Sequence, residues 1–224
     1  MDKQRHSTSH FGNALLLMGL VTLSLITLGL VGCDRSSSPT LGDQGPAGGL
    51  SPSYENAVFN DDVESNREDD GSLANLQFVD TQGNTVRLDD YKNKQNVLLV
   101  FTRGFSGMIC PYCTTQTSRL ISNYDEFQAR DAEVLLVYPG STEQLPSFKE
   151  ASMKTTAAGE FPFPVLLDEN LAAVKQLGIA SRLAYPSTFI IDKEGSVRLS
   201  YVGSNPADRP SIKAILSQLD KLQG

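Results

Sequence analysis

Hydrophobic positions along this chain follow several periods, and each predicts a different element. The run VLLVFTR (97–103) is apolar almost throughout and rich in β-branched residues, as a strand buried on both faces is. EVLLVYP (133–139) reads as a second buried strand and PVLLD (164–168) as a short extended piece. Two hairpins are marked by turn residues: LQFVD and VRL around TQGN, and STFIID (187–192) and VRLSYVG (197–203) around KEGS. Leu120, Tyr124 and Phe127 recur at helical spacing, predicting a helix from about Tyr112 to Ala129. A second helix is expected over Thr142–Met153, weakened by Pro146. A third is expected from a cap at Asn170 through Leu177, closed by Gly178 in the left-handed conformation. Ile212, Ile215, Leu216 and Leu219 line one side of a final amphipathic helix. The order β-β, β-α-β, α-β-α, β-β-α predicts an α/β domain whose central sheet is covered on both faces.

A different pattern opens the chain. Lys3 and Arg5 precede 19 uncharged residues, Ala14 to Gly32, which reads as a secretory signal. It ends in Leu30-Val31-Gly32-Cys33, which resembles the lipobox of bacterial lipoproteins. That resemblance implies a signal peptide over 1–32, lipidation at Cys33, and attachment to the cell membrane facing the periplasm or another extracytoplasmic space. Residues 33–71 are dominated by Gly, Pro, Ser and acids, with too few apolar residues to offset chain entropy. They are expected to be a disordered tether, leaving 72–224 as the folded domain.

Charge supports this division. The 224 residues carry a net −7, which disfavours nucleic acid, whose phosphates need a basic stripe. Residues 1–33 carry +1, residues 34–71 carry −7, and residues 72–224 only −1. The acidity describes an extended tether, and the domain is nearly neutral.

The candidate chemistry rests on two residues. Both histidines, His6 and His10, precede the apolar run, so the domain has none. Histidine triads, Cys-His dyads and histidine metal sites are therefore excluded. No metal site and no cofactor are expected. Beyond Cys33 the cysteines are Cys110 and Cys113, in Cys-Pro-Tyr-Cys, where a buried strand gives way to a helix. A structural disulfide would close only a tiny loop and so restrict the unfolded chain little. As a redox pair the spacing has a mechanism. Cys110, at the helix N-terminus, meets unpaired N–H groups and the positive end of the dipole, which favour thiolate. Cys113, one turn on, can attack a mixed disulfide and release product. Pro111 suits the first helical position. Cys110 is therefore the candidate nucleophile and Cys113 the resolving thiol. Arg103, ending the strand, is a candidate thiolate stabiliser, or else a solvated strand end. Arg119 is expected at the surface, and the Tyr112 ring is expected to shield the sulfurs.

At VRLDDYKNKQNVLLVF, ICPYCTTQ and YPSTFIIDKEG the chain resembles the thioredoxin-fold redoxins, above all the alkyl hydroperoxide reductase/thiol-specific antioxidant (peroxiredoxin-like) group, over about 72–222. The resemblance implies a thioredoxin-like three-layer α/β/α fold with a central mixed sheet. It implies a cis Pro186 beside the cysteines, so Tyr112, Tyr185 and Pro186 become candidate substrate-binding residues. The chain also departs from the pattern. Ile109 stands where thioredoxins have tryptophan, Val100 where they have a buried acid, and the loop GFSGMI brings Phe105 and Met108 near the site. Gly107 occupies the position of the peroxiredoxin Thr or Ser, and Pro186 that of its arginine.

These departures favour a membrane-tethered thiol–disulfide oxidoreductase. The alternatives are a thiol peroxidase with Cys110 peroxidatic and Cys113 resolving, or a redox-inert binding module. Partners implied are thiol or disulfide proteins, small thiols, hydroperoxides and a membrane electron donor.

Overall fold

The computed structural model describes residues 57–68 and 70–223. The signal peptide, Cys33 and most of the expected tether lie outside the described residues. Among those described, no helix is long and apolar enough to cross a membrane.

Seven strands form one mixed sheet in the order β2-β1-β5-β4-β3-β6-β7. They are β1 (Gln77–Asp80), β2 (Thr85–Arg87), β3 (Asn96–Phe101), β4 (Ala132–Pro139), β5 (Val165–Asp168), β6 (Ser187–Ile191) and β7 (Val197–Val202). The central strands β3, β4 and β5 run parallel, and the hairpins add antiparallel neighbours on both sides. The helices are α1 (Pro111–Ser122), α2 (Tyr124–Gln128), α3 (Leu145–Met153), α4 (Ala172–Gln176) and α5 (Ile212–Asp220). Alternation along β3 and β4 assigns the two cores. Leu98, Val100, Val134 and Leu136 pack with Leu120, Ile215 and Leu219 of α1 and α5. Val97, Leu99, Leu135 and Val137 pack with Val174 of α4 and with Ile179. This is the expected three-layer, thioredoxin-like arrangement.

Some boundaries differ from expectation. The helix foreseen over Tyr112–Ala129 breaks at Asn123 (φ −117°, ψ 20°), whose side-chain amide donates to the Arg119 carbonyl at 2.8 Å. That local bond competes with helix continuation. Thr142–Gln144 forms a tight 3₁₀ turn, and α3 begins only at Leu145, with Pro146 in its first turn, where no N–H is missed. The start of α4 is stabilised by Asp168, not Asn170. The Asp168 carboxylate accepts from Ala173 N (3.2 Å) and Val174 N (3.0 Å). Gly178 has the expected left-handed φ of +60°.

The larger correction concerns the tether. Residues 57–68 do not hang free but run along the domain as a strap. Phe59 and Val63 are buried, and Val63 joins the same apolar cluster as Cys110 and Cys113. Asn66 pairs with the edge of β7, through Asn66 N to Ser200 O (3.0 Å) and Val202 N to its Oδ1 (2.9 Å). A few well-spaced apolar and amide side chains suffice because the domain supplies the opposing surface. Composition read over the segment alone does not register this.

Candidate active site

The site is built where β3 ends. Thr102 leaves the sheet with both its N–H (3.0 Å) and its hydroxyl (3.1 Å) donating to the Val137 carbonyl. Gly104 then turns the chain at φ +67°, and a Cβ there would lie 2.2 Å from the Pro139 carbonyl oxygen. Only glycine fits. The loop through Met108, exposed at the surface, returns to Cys110 at the N-cap of α1, with Pro111 in the first turn. The Cys110 carbonyl accepts from Cys113 N (3.0 Å) and Thr114 N (3.1 Å), so the first turn of α1 fixes the two cysteines relative to each other.

Both cysteines are free and buried, Cys110 at 7% exposure and Cys113 at 1%. Their environments push them in opposite directions. The Cys113 thiol hydrogen-bonds to the Cys110 sulfur, and the charges of Arg209 and then Arg103 add to it. Together they outweigh burial and bring the Cys110 pKa down to about 5. Burial, and the proton shared with Cys110, hold Cys113 well above the ordinary thiol value. The pair thus carries one proton, kept on the deeper sulfur. These opposed environments favour thiolate at Cys110 and thiol at Cys113.

Arg209 is the residue that sequence reasoning missed. It lies between β7 and α5 and is 1% exposed. Its Nη2 donates to the Cys113 sulfur at 3.2 Å, its Nη1 to Gln116 Oε1, and its Nε to the Pro206 carbonyl at 2.8 Å. Among the described residues no carboxylate pairs with it. A buried guanidinium satisfied by neutral acceptors leaves its charge for the sulfurs. Nothing in period, spacing or composition flags this position, which sits in a polar turn (SNPADRP) far from the cysteines in sequence.

The other candidates are placed as follows. Arg103 is half-buried, and its backbone N–H donates to the Cys113 sulfur at 3.4 Å. Its charge acts on Cys110 after that of Arg209. Tyr112, in the first turn of α1, is half-buried. Arg119 is not a plain surface residue. Its guanidinium lies 4.8 Å from the Phe59 ring centre and donates to the Ala57 carbonyl at 2.7 Å. Pro186 precedes Ser187, which is in register with Phe101, so it stands at the same end of the sheet as the Cys110 loop. Tyr185 beside it is exposed. The Tyr185–Pro186 bond is trans, not cis. The chain enters β6 extended, with Tyr185 N bonded to the Ile179 carbonyl (2.8 Å) and the Pro186 carbonyl accepting from Gly203 N (2.8 Å). The residue before proline favours extended backbone, and trans is the lower-energy isomer.

Comparison with known proteins agrees with this geometry. The sequence model of the AhpC/TSA family matches residues 71–200. Peroxiredoxin Bcp of Bacillus subtilis is 32% identical over 129 residues, covering 54% of this chain and 75% of that protein. A chloroplastic 2-Cys peroxiredoxin of Hordeum vulgare is 27% identical, covering 62% of this chain and 65% of that protein. The chain spans only 52% of the corresponding protein of Spinacia oleracea. Among solved structures, peroxiredoxin 6 of Arenicola marina superposes with a TM-score of 0.59 at 21% identity, covering 68% of this chain and 71% of that one. Peroxiredoxin Q of Xanthomonas campestris gives 0.52 at 19% identity, covering 72% of this chain and all of that one. At such identities the likeness shows the shared fold. A family match across more than half the chain, spanning the Cys110–Cys113 pair at a helix N-terminus, leads to one conclusion: the chain belongs to the AhpC/TSA family and is a thiol-dependent redox enzyme.

Proposed function

We propose that the chain is a peroxiredoxin-like thiol peroxidase. The observation that carries this reading is the dithiol beside a buried guanidinium: Cys110 at the N-cap of α1, Cys113 one turn on, and Arg209 Nη2 3.2 Å from the Cys113 sulfur, an arrangement that favours thiolate at Cys110. The Cys110 thiolate attacks one oxygen of a hydroperoxide. An S–O bond forms, the O–O bond breaks, and the departing alkoxide or hydroxide takes a proton to leave as alcohol or water. The sulfur of Cys113, giving up its proton, then attacks the Cys110 sulfenic acid. The disulfide forms, the S–O bond breaks and water leaves. A thiol reductant returns the pair to the dithiol state by exchange.

Sequence alone favoured disulfide exchange, because Gly107 and Pro186 replace the family's hydroxyl and arginine. Arg209 supports the peroxidase reading by bringing a guanidinium to the sulfurs from another part of the chain. Exchange with protein disulfides remains a second reading, favoured by Gly107, which offers no hydroxyl to a peroxide oxygen. We also propose that lipid at Cys33 tethers the domain outside the cytoplasm. Incorporation of a palmitate analogue into the full chain, lost in Cys33→Ala, tests that point.

Stopped-flow oxidation of the reduced chain by hydrogen peroxide and by cumene hydroperoxide tests the activity. We expect Cys110 to be consumed far faster than free cysteine, and the reaction to vanish in Cys110→Ser. A rate equal to that of free cysteine overturns the peroxidase. Rapid reaction with a disulfide peptide in the same samples would then establish exchange instead.

A further inference from the structure

We propose that the strap and the β7–α5 loop form one clamp that supplies the dithiol with its positive charge, with Asn60 as the positioning residue for Arg209. This rests on the reading of Cys110 as the nucleophile. Residues 57–68 and 203–211 both lie outside the segment that matches the family, 71–200. The clamp therefore joins two segments that flank the matched span on either side.

The contacts are specific. Asn60 N donates to the Arg209 carbonyl and Ser211 N to the Asn60 carbonyl, each at 2.8 Å, so the strap brackets Pro210 and holds the carbonyl of Arg209 in place. The Asn60 side chain donates to Asp208 Oδ1 (2.8 Å) and to the Tyr201 hydroxyl (2.9 Å), and Tyr201 in turn donates to Asp208. The other Asp208 oxygen accepts from Ser204 N and Ser204 Oγ, each at 2.8 Å, closing the loop that ends at Arg209.

The strap is itself anchored where it can resist movement. Phe59 is buried beneath Arg119, Val63 is buried in the cysteine-side core, and the Gln218 amide holds the Val63 carbonyl at 2.7 Å. A buried guanidinium with no carboxylate gains by keeping a thiolate near it, and a shift of one or two ångströms weakens that attraction steeply at short range. The charged and titratable groups acting on the pair are Arg209 from the loop, Arg103 from just beyond β3 and Tyr138 from β4, while Gln116 of α1 accepts from Arg209. Arg209, and after it Arg103, are the cations whose charge lowers the Cys110 pKa.

The test is the pH dependence of Cys110 alkylation by iodoacetamide in the reduced full chain, read by mass spectrometry, with thiolate absorbance at 240 nm alongside. N60A should move the Cys110 midpoint upward, in the direction R209M moves it, so that alkylation at pH 5 falls by roughly tenfold. S65A, which loosens the strap at the Ser200 N–H (3.0 Å) without touching the loop, should leave the midpoint in place. Y201F loosens the clamp from the β7 side and carries the test should N60A not fold. An unchanged midpoint in N60A or, in its place, Y201F overturns the proposal. So does an equal displacement in S65A, because any loosening would then suffice. Titration needs no peroxide, so it succeeds or fails independently of the peroxidase assay.

Discussion

Arg209 and Cys113 are 96 residues apart in the chain and 3.2 Å apart in the fold, guanidinium nitrogen to sulfur. The pairing explains how a site lacking the family's arginine at Pro186 still holds a cation against its dithiol. The loop bearing Arg209 folds over Pro186 itself, through the Gly203 N–H to the Pro186 carbonyl at 2.8 Å. Replacing Arg209 by methionine should raise the Cys110 midpoint and slow peroxide oxidation at pH 6 by roughly tenfold or more. Leaving Gln116 unpaired should cost about 1–3 kcal/mol of stability. R209K keeps the charge but loses the fork that binds Gln116 and Pro206, and should fall between. Stopped-flow oxidation and urea unfolding check both parts.

The dithiol should also make stability depend on pH in a defined way. A thiol whose folded pKa is depressed adds stability that is fully present above its ordinary value of 9.0 and lost as pH falls toward about 5. The reduced protein should therefore grow more stable from pH 5 to pH 9. Cys113, held above the ordinary value by burial first, acts oppositely. Above pH 9 the unfolded chain ionises this thiol while the folded one does not, and stability should decline. Denaturant titrations at pH 5, 7, 8.5 and 10 should show the rise and fall. Cys110→Ser should flatten the rise.

Gly203 has no room for a side chain. A Cβ there would lie 2.1 Å from the Asp208 carbonyl oxygen and 3.0 Å from Pro186 Cγ. Gly203→Ala should push the loop outward, costing about 1–3 kcal/mol, and should raise the Cys110 midpoint because Arg209 moves with the loop. Gly159→Ala, where nothing lies within 4 Å, should change neither quantity. Thermal melts and alkylation profiles of the two variants separate these outcomes.

Glu133, at the start of β4, is a half-buried carboxylate with no cation partner among the described residues. Tyr124 donates to its two oxygens at 3.0 and 3.1 Å, and Val134 N donates at 3.1 Å. Burial outweighs these bonds and raises its pKa. The stability this group contributes is complete below the unfolded carboxylate value and lost as pH rises through the folded one. Glu133→Gln should therefore gain up to ~1 kcal/mol at pH 7 and nothing at pH 4. Paired unfolding curves at the two pH values decide it.

Much of the fold was legible because its causes are local. Every strand was visible as an apolar run or a turn-bounded pair, and Gly178 announced the end of α4. The dithiol was legible for the same reason, since Cys-Pro-Tyr-Cys at a strand-to-helix junction carries its own geometry. Where local competition was subtle, the reading slipped. At Asn123 a side-chain amide interrupts a helix whose apolar spacing continues, and at Asp168 a strand-end carboxylate does the capping expected of Asn170.

The sequence by itself determined the sheet, the layers and the reactive pair, because hydrophobic period and helix-terminus chemistry act over a few residues. Only the tertiary structure decided which cation faces the sulfurs, that Pro186 is trans, and that residues 57–68 are a strap and not a tether. Each of these depends on surfaces contributed by distant segments. Burial of Phe59 and Val63, the seat of Arg209 on Gln116, and the hold of Asn60 on Asp208 exist only after the domain has closed around α1 and α5. A charge acts through space, and the chain's own order carries no record of which loop brings it there.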